Sequence, residues 1–117
     1  MKLESATLHV TLEAVRAYAG LTDDFNPIHL DAEFAAASPM NGRIAHGTLS
    51  LGVLWQALAR SGVGPDGYLL DIRFLRPVRL GDRVTAGGDL ASDSVTFDVW
   101  VRNDRDDIVI AGTARPL

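Results

Sequence analysis

Hydrophobic and polar residues alternate with a period of two along much of the second half of the chain. The clearest run places four apolar residues at every second position, Val95, Phe97, Val99 and Val101. This alternation is typical of a β-strand with one buried face. Weaker alternation predicts further strands over residues 3–10, 68–78, 83–90 and 108–114. Because short turns join antiparallel neighbours, the last four strands are expected to form a meander.

Between the first strand and the meander, apolar residues recur at the spacing of one helix face. Thr11 is a typical N-cap residue, and the helix that follows it is expected to end at Gly20. Asp31 is expected to cap a short helix over residues 32–37. Residues 46–61 form the most apolar segment, and a helix that is apolar nearly all round is a buried helix.

The order of these elements predicts an α+β fold in which an antiparallel sheet covers one buried helix on one face. A length of 117 residues suits a single domain spanning 1–117. A glycine-rich turn over residues 62–67 is expected to break the helix. Pro77 marks the end of a strand, and Gly87 with Gly88 indicates a β-bulge.

Composition narrows the classes of function. The chain has no cysteine, which excludes disulfides, thiolate nucleophiles and cysteine-ligated zinc. It has a formal net charge of −4 and no basic face with interleaved aromatic residues, so nucleic acid is not an expected partner. No apolar run is long enough to span a membrane and no signal peptide is apparent, so we expect a cytoplasmic protein. A local arginine cluster forms either a solvated surface or a rim that contacts phosphate: Arg73, Arg76, Arg79 and Arg83.

The segment around Pro27 carries the candidate chemistry. Asp24, Asn26 and His29 lie within six residues. In a regular helix, positions 24 and 29 would point about 140° apart, whereas an irregular turn can aim both at one point. A carboxylate and an imidazole that converge on one water form a general acid/base pair. Asn26 would fix the loop or hold a partner. An ordinary Asp-x-Asn-Pro turn is the alternative interpretation.

His46 and Gly47 stand at the predicted start of the buried helix. A helix N-terminus presents free N–H groups and a partial positive charge, and glycine lets a ligand approach the backbone closely. A thioester carbonyl that develops enolate character needs such donors. His46 itself is either part of this site or a structural histidine.

Three blocks of sequence together resemble the MaoC-like family. Tyr18–Asp31 (YAGLTDDFNPIHLD) is similar to the hydratase-2 motif, Arg43–Leu49 (RIAHGTL) to a second signature, and Phe74–Asp82 (FLRPVRLGD) to the pattern F-x-x-P-V-x-x-G-D. The resemblance implies a hotdog fold, in which an antiparallel sheet wraps a long helix, assembled as a homodimer or higher oligomer. It also implies an enzyme that reversibly hydrates trans-2-enoyl-CoA to (R)-3-hydroxyacyl-CoA.

By the same resemblance, Asp24 and His29 are the catalytic pair, and the Gly47 N–H donates to the thioester oxygen. Asn26 is implied as a supporting residue, and no metal or redox cofactor is implied, because CoA, or the phosphopantetheine of a carrier protein, belongs to the substrate. We expect His46 to contact substrate. Tyr18 is expected in the core or the pocket wall, and Trp55 either narrows the acyl pocket or packs in the core.

Three alternatives remain open. The protein could act as a 3-hydroxyacyl-carrier-protein dehydratase, as a hotdog thioesterase, or as a non-catalytic acyl-CoA-binding subunit of a heteromeric hydratase. The Asp-x-Asn-Pro-x-His turn argues against the thioesterase. Intact Asp24 and His29 argue against the non-catalytic subunit, which has no need of both.

Overall fold

The computed structural model describes residues 1–63 and 67–117. Five strands form one sheet: β1 (Ala6–His9), β2 (Tyr68–Phe74), β3 (Arg83–Leu90), β4 (Phe97–Arg102) and β5 (Ile108–Pro116). Four helices precede β2: α1 (Leu12–Thr22), α2 (Pro27–Leu30), α3 (Ala32–Ala37) and α4 (Gly47–Arg60). The turn predicted over 62–67 lies partly outside the described residues, which omit 64–66.

The sheet is antiparallel throughout, with the strand order β1-β3-β4-β5-β2. The predicted four-strand meander is therefore wrong in one respect, because β2 pairs with β5 and not with β3. The connection between β2 and β3 is not a tight hairpin. It runs past the segment before α4, where the Ala45 N–H donates to the Val78 carbonyl across 2.7 Å. This detour carries the chain to the opposite side of the sheet.

The caps predicted for two helices are confirmed. The Thr11 hydroxyl accepts the Ala14 N–H, and the Asp31 carboxylate accepts the N–H groups of Glu33 and Phe34. The predicted end of α1 at Gly20 is wrong. The helix continues to Thr22 because Asp23, in the left-handed conformation with φ 55°, supplies the C-cap instead.

Two strand predictions also need correction. The strand β2 ends at Phe74, ahead of Pro77. The irregularity expected at Gly87 and Gly88 is not seen on the side of β4, where β3 keeps continuous register. On the other side, the pairing shifts by one residue between Ala6↔Ala86 and Lys2↔Asp89, with the extra residue in the N-terminal segment. A further irregularity lies at Val101/Arg102 between β4 and β5. The glycines instead allow close approach, because a Cβ on Gly87 would lie 3.1 Å from Trp100 Nε1.

The core lies between α4 and the sheet. Leu54 and Leu58 of α4 are fully buried and belong to one apolar cluster with residues of β1, β3, β4 and β5. Only one side of α4 is buried, so the prediction of a helix covered on all sides is too strong. This arrangement of helix and sheet confirms the α+β class and the hotdog fold. Within the described residues, no helix is long and apolar enough to cross a membrane.

Candidate active site

Two helix ends position the acid/base pair. The Asp24 N–H donates to the Ala19 carbonyl at the end of α1, across 3.1 Å. The Asn26 side chain accepts the Ile28 N–H across 3.0 Å and caps α2, with Pro27 as its first residue. His29 thus lies on a short helix that the sequence analysis missed. The Asn-Pro pair was the available signal, since asparagine favours the N-cap and proline the first helical position.

His29 is oriented by one strong hydrogen bond. Its side chain is buried, and Nδ1 lies 2.7 Å from the carbonyl oxygen of Ile44. Because a carbonyl oxygen only accepts, Nδ1 carries the hydrogen. Nε2 is therefore the nitrogen left to meet a water or a substrate.

His46 connects the two members of the pair. It is the N-cap residue of α4 and is only 3% exposed. Its Nε2 donates to the main-chain carbonyl of Asp24 across 2.9 Å, and its ring stacks on that of His29 with centroids 3.8 Å apart. The Tyr18 ring meets it edge-on, with centroids 5.1 Å apart. One buried imidazole thus fixes the backbone of Asp24 and one face of His29.

The Asp24 carboxylate faces solvent. Its side chain is 51% exposed, and Oδ1 accepts the Asn26 N–H across 3.3 Å. One ligand atom from each of Asp24, His29 and His46 lies within 4.8 Å of the others. An accessible carboxylate beside a fixed imidazole can remove a proton from a bound water.

The same three residues are close enough to be compared with a metal site. A metal ion needs lone pairs that converge on one point. The imidazole lone pairs lie in the ring planes, and the rings of His29 and His46 are stacked with an interplanar angle of 27°. In addition, His29 Nδ1 and His46 Nε2 are bonded to carbonyl oxygens. The arrangement suits acid/base chemistry better than it suits an ion.

Gly47 is the first residue of α4 and adjoins an apolar cavity of about 290 Å³. The cavity is lined by Met40, Ile44, Ala45, Gly47, Ser50, Phe74, Leu75, Arg76, Pro77, Val78 and Ile110. A Cβ at position 47 would lie 3.0 Å from Cε1 of the Phe74 ring. Gly47 is therefore needed for the ring to approach the start of the helix.

The remaining predicted residues separate into two groups. Tyr18 joins the site, since it contacts His46 and donates from its hydroxyl to Thr48 Oγ1 across 2.6 Å.

Asn26 has a local role as the cap of α2. Trp55 is 36% exposed and does not line the cavity described above. Ser50 was not expected at the site, although it is a polar residue within the most apolar segment. Phe74 was expected only as the start of the third sequence block, and its approach to Gly47 was not foreseen.

Solved structures share this fold. An R-hydratase of Pseudomonas aeruginosa superposes with a TM-score of 0.82 at 31% identity, covering 99% of this chain and 80% of that one. An (R)-hydratase of Aeromonas caviae has a TM-score of 0.82 at 28% identity, covering 100% and 95%. The fold is thus the hotdog fold of these hydratases.

Sequence comparison gives the family. The model of the MaoC like domain matches residues 1–105, and the chain belongs to this family. An (R)-specific enoyl-CoA hydratase of Rhodospirillum rubrum is 37% identical over 87 residues, which are 71% of this chain and 60% of the relative. A 3-hydroxybutyryl-CoA dehydratase of Methylorubrum extorquens is 38% identical over 79 residues, 66% and 50% respectively. The matches span little more than half the length of these relatives.

Proposed function

We propose that this protein is an (R)-specific hydro-lyase that reversibly adds water to a trans-2-enoyl thioester. One observation carries the proposal. One ligand atom of the exposed Asp24 carboxylate lies within 4.8 Å of one from each of His29 and His46. His29 is held through Nδ1 by the Ile44 carbonyl, and His46, which bonds to the Asp24 carbonyl, directly precedes the first residue of α4. The site thus combines a base, a residue that can hold water and a backbone donor.

In the hydration direction, neutral His29 accepts a hydrogen bond at Nε2 from the attacking water, while Asp24 removes the other proton of that water. The water oxygen bonds to C3, and the electron pair of the C2–C3 double bond moves toward the thioester oxygen. Asp24 then returns the proton to C2. Both parts of one water end on the substrate, and the carboxylate regains its charge. Dehydration follows the same steps in reverse.

The negative charge on the thioester oxygen needs a donor that is already in place. The Gly47 N–H stands at the first turn of α4, where the helix dipole adds a partial positive charge. The apolar cavity beside Gly47 offers room for an acyl chain. Arg76 at the same cavity supplies a cation for the phosphates of the carrier.

The relatives support this assignment of substrate and stereochemistry. Two are named (R)-specific enoyl-CoA hydratases, and several are named dehydratases of 3-hydroxyacyl thioesters. A mitochondrial 3-hydroxyacyl-[acyl-carrier-protein] dehydratase of Arabidopsis thaliana is more distant, at 29% identity over 72 residues. We therefore favour CoA over a carrier protein. A cysteine-free chain acting on thioesters fits a reducing compartment such as the cytoplasm.

We further infer a homodimer that covers the outer edge of β2. Among the described residues, β2 pairs on one side only, with β5. An unpaired edge strand is normally covered. Phe74 and Leu75 at the end of β2 are each more than half exposed, and both line the cavity beside Gly47. A two-fold contact at this edge would bury them and bring the partner close to the site. Light scattering at assay concentration tests this, and a fully active monomer would refute it.

Absorbance of the conjugated enoyl thioester tests the activity. Crotonyl-CoA is used first, then longer and branched chains, and each product is offered to dehydrogenases specific for the (R)- or the (S)-3-hydroxyacyl-CoA. We expect loss of absorbance and a product oxidised only by the (R)-specific enzyme. The same acyl groups on a carrier protein serve as the comparison. Hydrolysis to free thiol without hydration would favour the thioesterase, and an (S)-product would contradict the stereochemical assignment.

A further inference from the structure

Ser50 has an unusual environment for a helical serine. It is 2% exposed, and its hydroxyl has no hydrogen-bond partner among the described residues. A buried serine in a helix ordinarily bonds to the carbonyl four residues earlier. Ser61, the half-buried C-cap of α4, makes this bond, donating to the Ala57 carbonyl across 2.8 Å. A buried hydroxyl without a partner is destabilising, so such a group calls for an explanation.

The hydroxyl lies at the wall of the cavity beside Gly47. Among the described side chains that line this cavity, only those of Ser50 and Arg76 are polar. Arg76 is exposed, whereas Ser50, Val78 and Ile110 are buried and form the floor. A water held there would need two or more polar partners. Among the described residues, Ser50 is the polar side chain in this buried part of the lining, so an oxygen of a bound ligand that reached it could pair with its hydroxyl.

The proposed function fixes which part of the substrate reaches Ser50. With the thioester oxygen at the exposed Gly47 N–H, the charged carrier remains outside near Arg76, and the acyl chain enters toward the floor. Ser50 follows Gly47 by three residues, so the two lie on the same side of α4 about one turn apart, and both line the cavity. An acyl chain that enters the cavity from Gly47 therefore passes the Ser50 hydroxyl.

We propose that Ser50 determines specificity by hydrogen bonding to an oxygen on the acyl chain, so that the cavity prefers an acyl group bearing a hydroxyl or keto oxygen beyond C4. This inference rests on the proposed function. The serine hydroxyl both donates and accepts, so it can serve either oxygen. A plain hydrocarbon chain leaves the hydroxyl unpaired. An oxygenated substrate and a hydrocarbon substrate of equal length therefore differ by one hydrogen bond to Ser50.

The test compares trans-2-enoyl-CoA substrates of equal length, with and without a hydroxyl or keto group at successive positions from C5 onward. Wild type, Ser50→Ala and the control Met40→Ala are assayed with each. We expect wild type to favour one oxygenated chain by about tenfold in kcat/KM, the gain of one good hydrogen bond. Ser50→Ala should abolish this preference. Met40→Ala changes the apolar lining only, and should affect both members of a pair alike.

Calorimetry with the corresponding saturated acyl-CoA pairs provides a readout independent of turnover. Preferential binding of the oxygenated chain by wild type, lost in Ser50→Ala, would support the inference even if no enoyl thioester were hydrated, in which case the proposed function alone would fail. Equal affinity of wild type for the oxygenated and the plain chain would overturn the inference about Ser50. So would a preference that survives in Ser50→Ala, or a uniform gain for all chains in that variant.

Discussion

The imidazole rings of His29 and His46 stack with their centroids 3.8 Å apart. The contact joins α2 to the start of α4, although seventeen positions separate the two residues in the chain. His46 also holds the Asp24 carbonyl through Nε2. We therefore infer that His46 positions both proposed catalytic groups, because it contacts the ring of one and the backbone of the other.

Variants at His46 separate its two contacts. Gln retains an N–H donor for the Asp24 carbonyl but loses the aromatic face, whereas Leu loses both. We expect kcat to fall about tenfold in His46→Gln and about a hundredfold in His46→Leu, with smaller changes in KM, because misplacement of catalytic groups affects the transition state most. Steady-state kinetics and thermal unfolding should be measured on the same preparations. Equal activity in the two variants would contradict a role for the donated hydrogen bond.

Gly47→Ala tests the close contact with Phe74. The new Cβ would lie 3.0 Å from the ring, which must move within the cavity. We expect a folded protein whose kcat/KM is reduced tenfold or more, with a larger loss in Gly47→Val, about the 3 kcal/mol typical of a lost oxyanion donor. Phe74→Leu alone should have a mild effect, and Gly47→Ala/Phe74→Leu should recover part of the loss. Wild-type activity in Gly47→Val would show that the thioester oxygen does not bind there.

Ser50→Ala should stabilise the protein. The substitution removes a buried hydroxyl that has no partner and introduces the best helix former, so the free energy of unfolding should rise by about 1 kcal/mol. Ser61→Ala is the matched control, because Ser61 Oγ accepts the Glu4 N–H across 2.7 Å and donates to Ala57. That variant should lose about 1 kcal/mol. Urea denaturation measures both, and a marked loss of stability in Ser50→Ala would mean that its hydroxyl is already bonded.

Asp82 should be important for stability and not for chemistry. Its buried carboxylate accepts the Arg79 N–H across 3.0 Å and a guanidinium hydrogen of Arg105 across 3.2 Å, and this bond raises the pKa of Arg105. Asp82→Ala should lower the free energy of unfolding by about 3 kcal/mol, because it removes hydrogen bonds to a buried charge. Arg105→Gln should lower it by clearly less, since Arg105 is exposed and the Arg79 N–H still bonds to the Asp82 carboxylate. Denaturation curves of similar midpoint for the two variants would contradict this.

Local patterns predicted the elements of the fold well and their arrangement less well. The alternation over residues 95–101 and the apolar segment before Ser61 gave β4 and α4 correctly, because both reflect burial of one face. The position of β2 was not predictable from turn length alone. It depends on the segment from Leu75 to Asp82, which packs against the residues before α4 and not in a hairpin.

In the candidate site, too, local features were predictable from the sequence and long-range contacts were not. Asp24 and His29 could be predicted because they lie close together in one motif. Gly47 could be predicted because it stands at a recognisable helix start. The stack of His29 on His46 and the approach of Phe74 to Gly47 join residues distant in sequence, so only the folded chain reveals them. The exposed position of Trp55 likewise follows from packing that periodicity did not specify.

Hydration of crotonyl-CoA by wild type, Asp24→Asn, His29→Ala and the double variant tests the central claim most directly. We expect wild type to consume the enoyl thioester and each single variant, still folded, to be at least about a hundredfold slower. Because both groups act on one water, the double variant should be little worse than the slower single variant. Near-normal turnover by either single variant, or losses that multiply in the double variant, would contradict it.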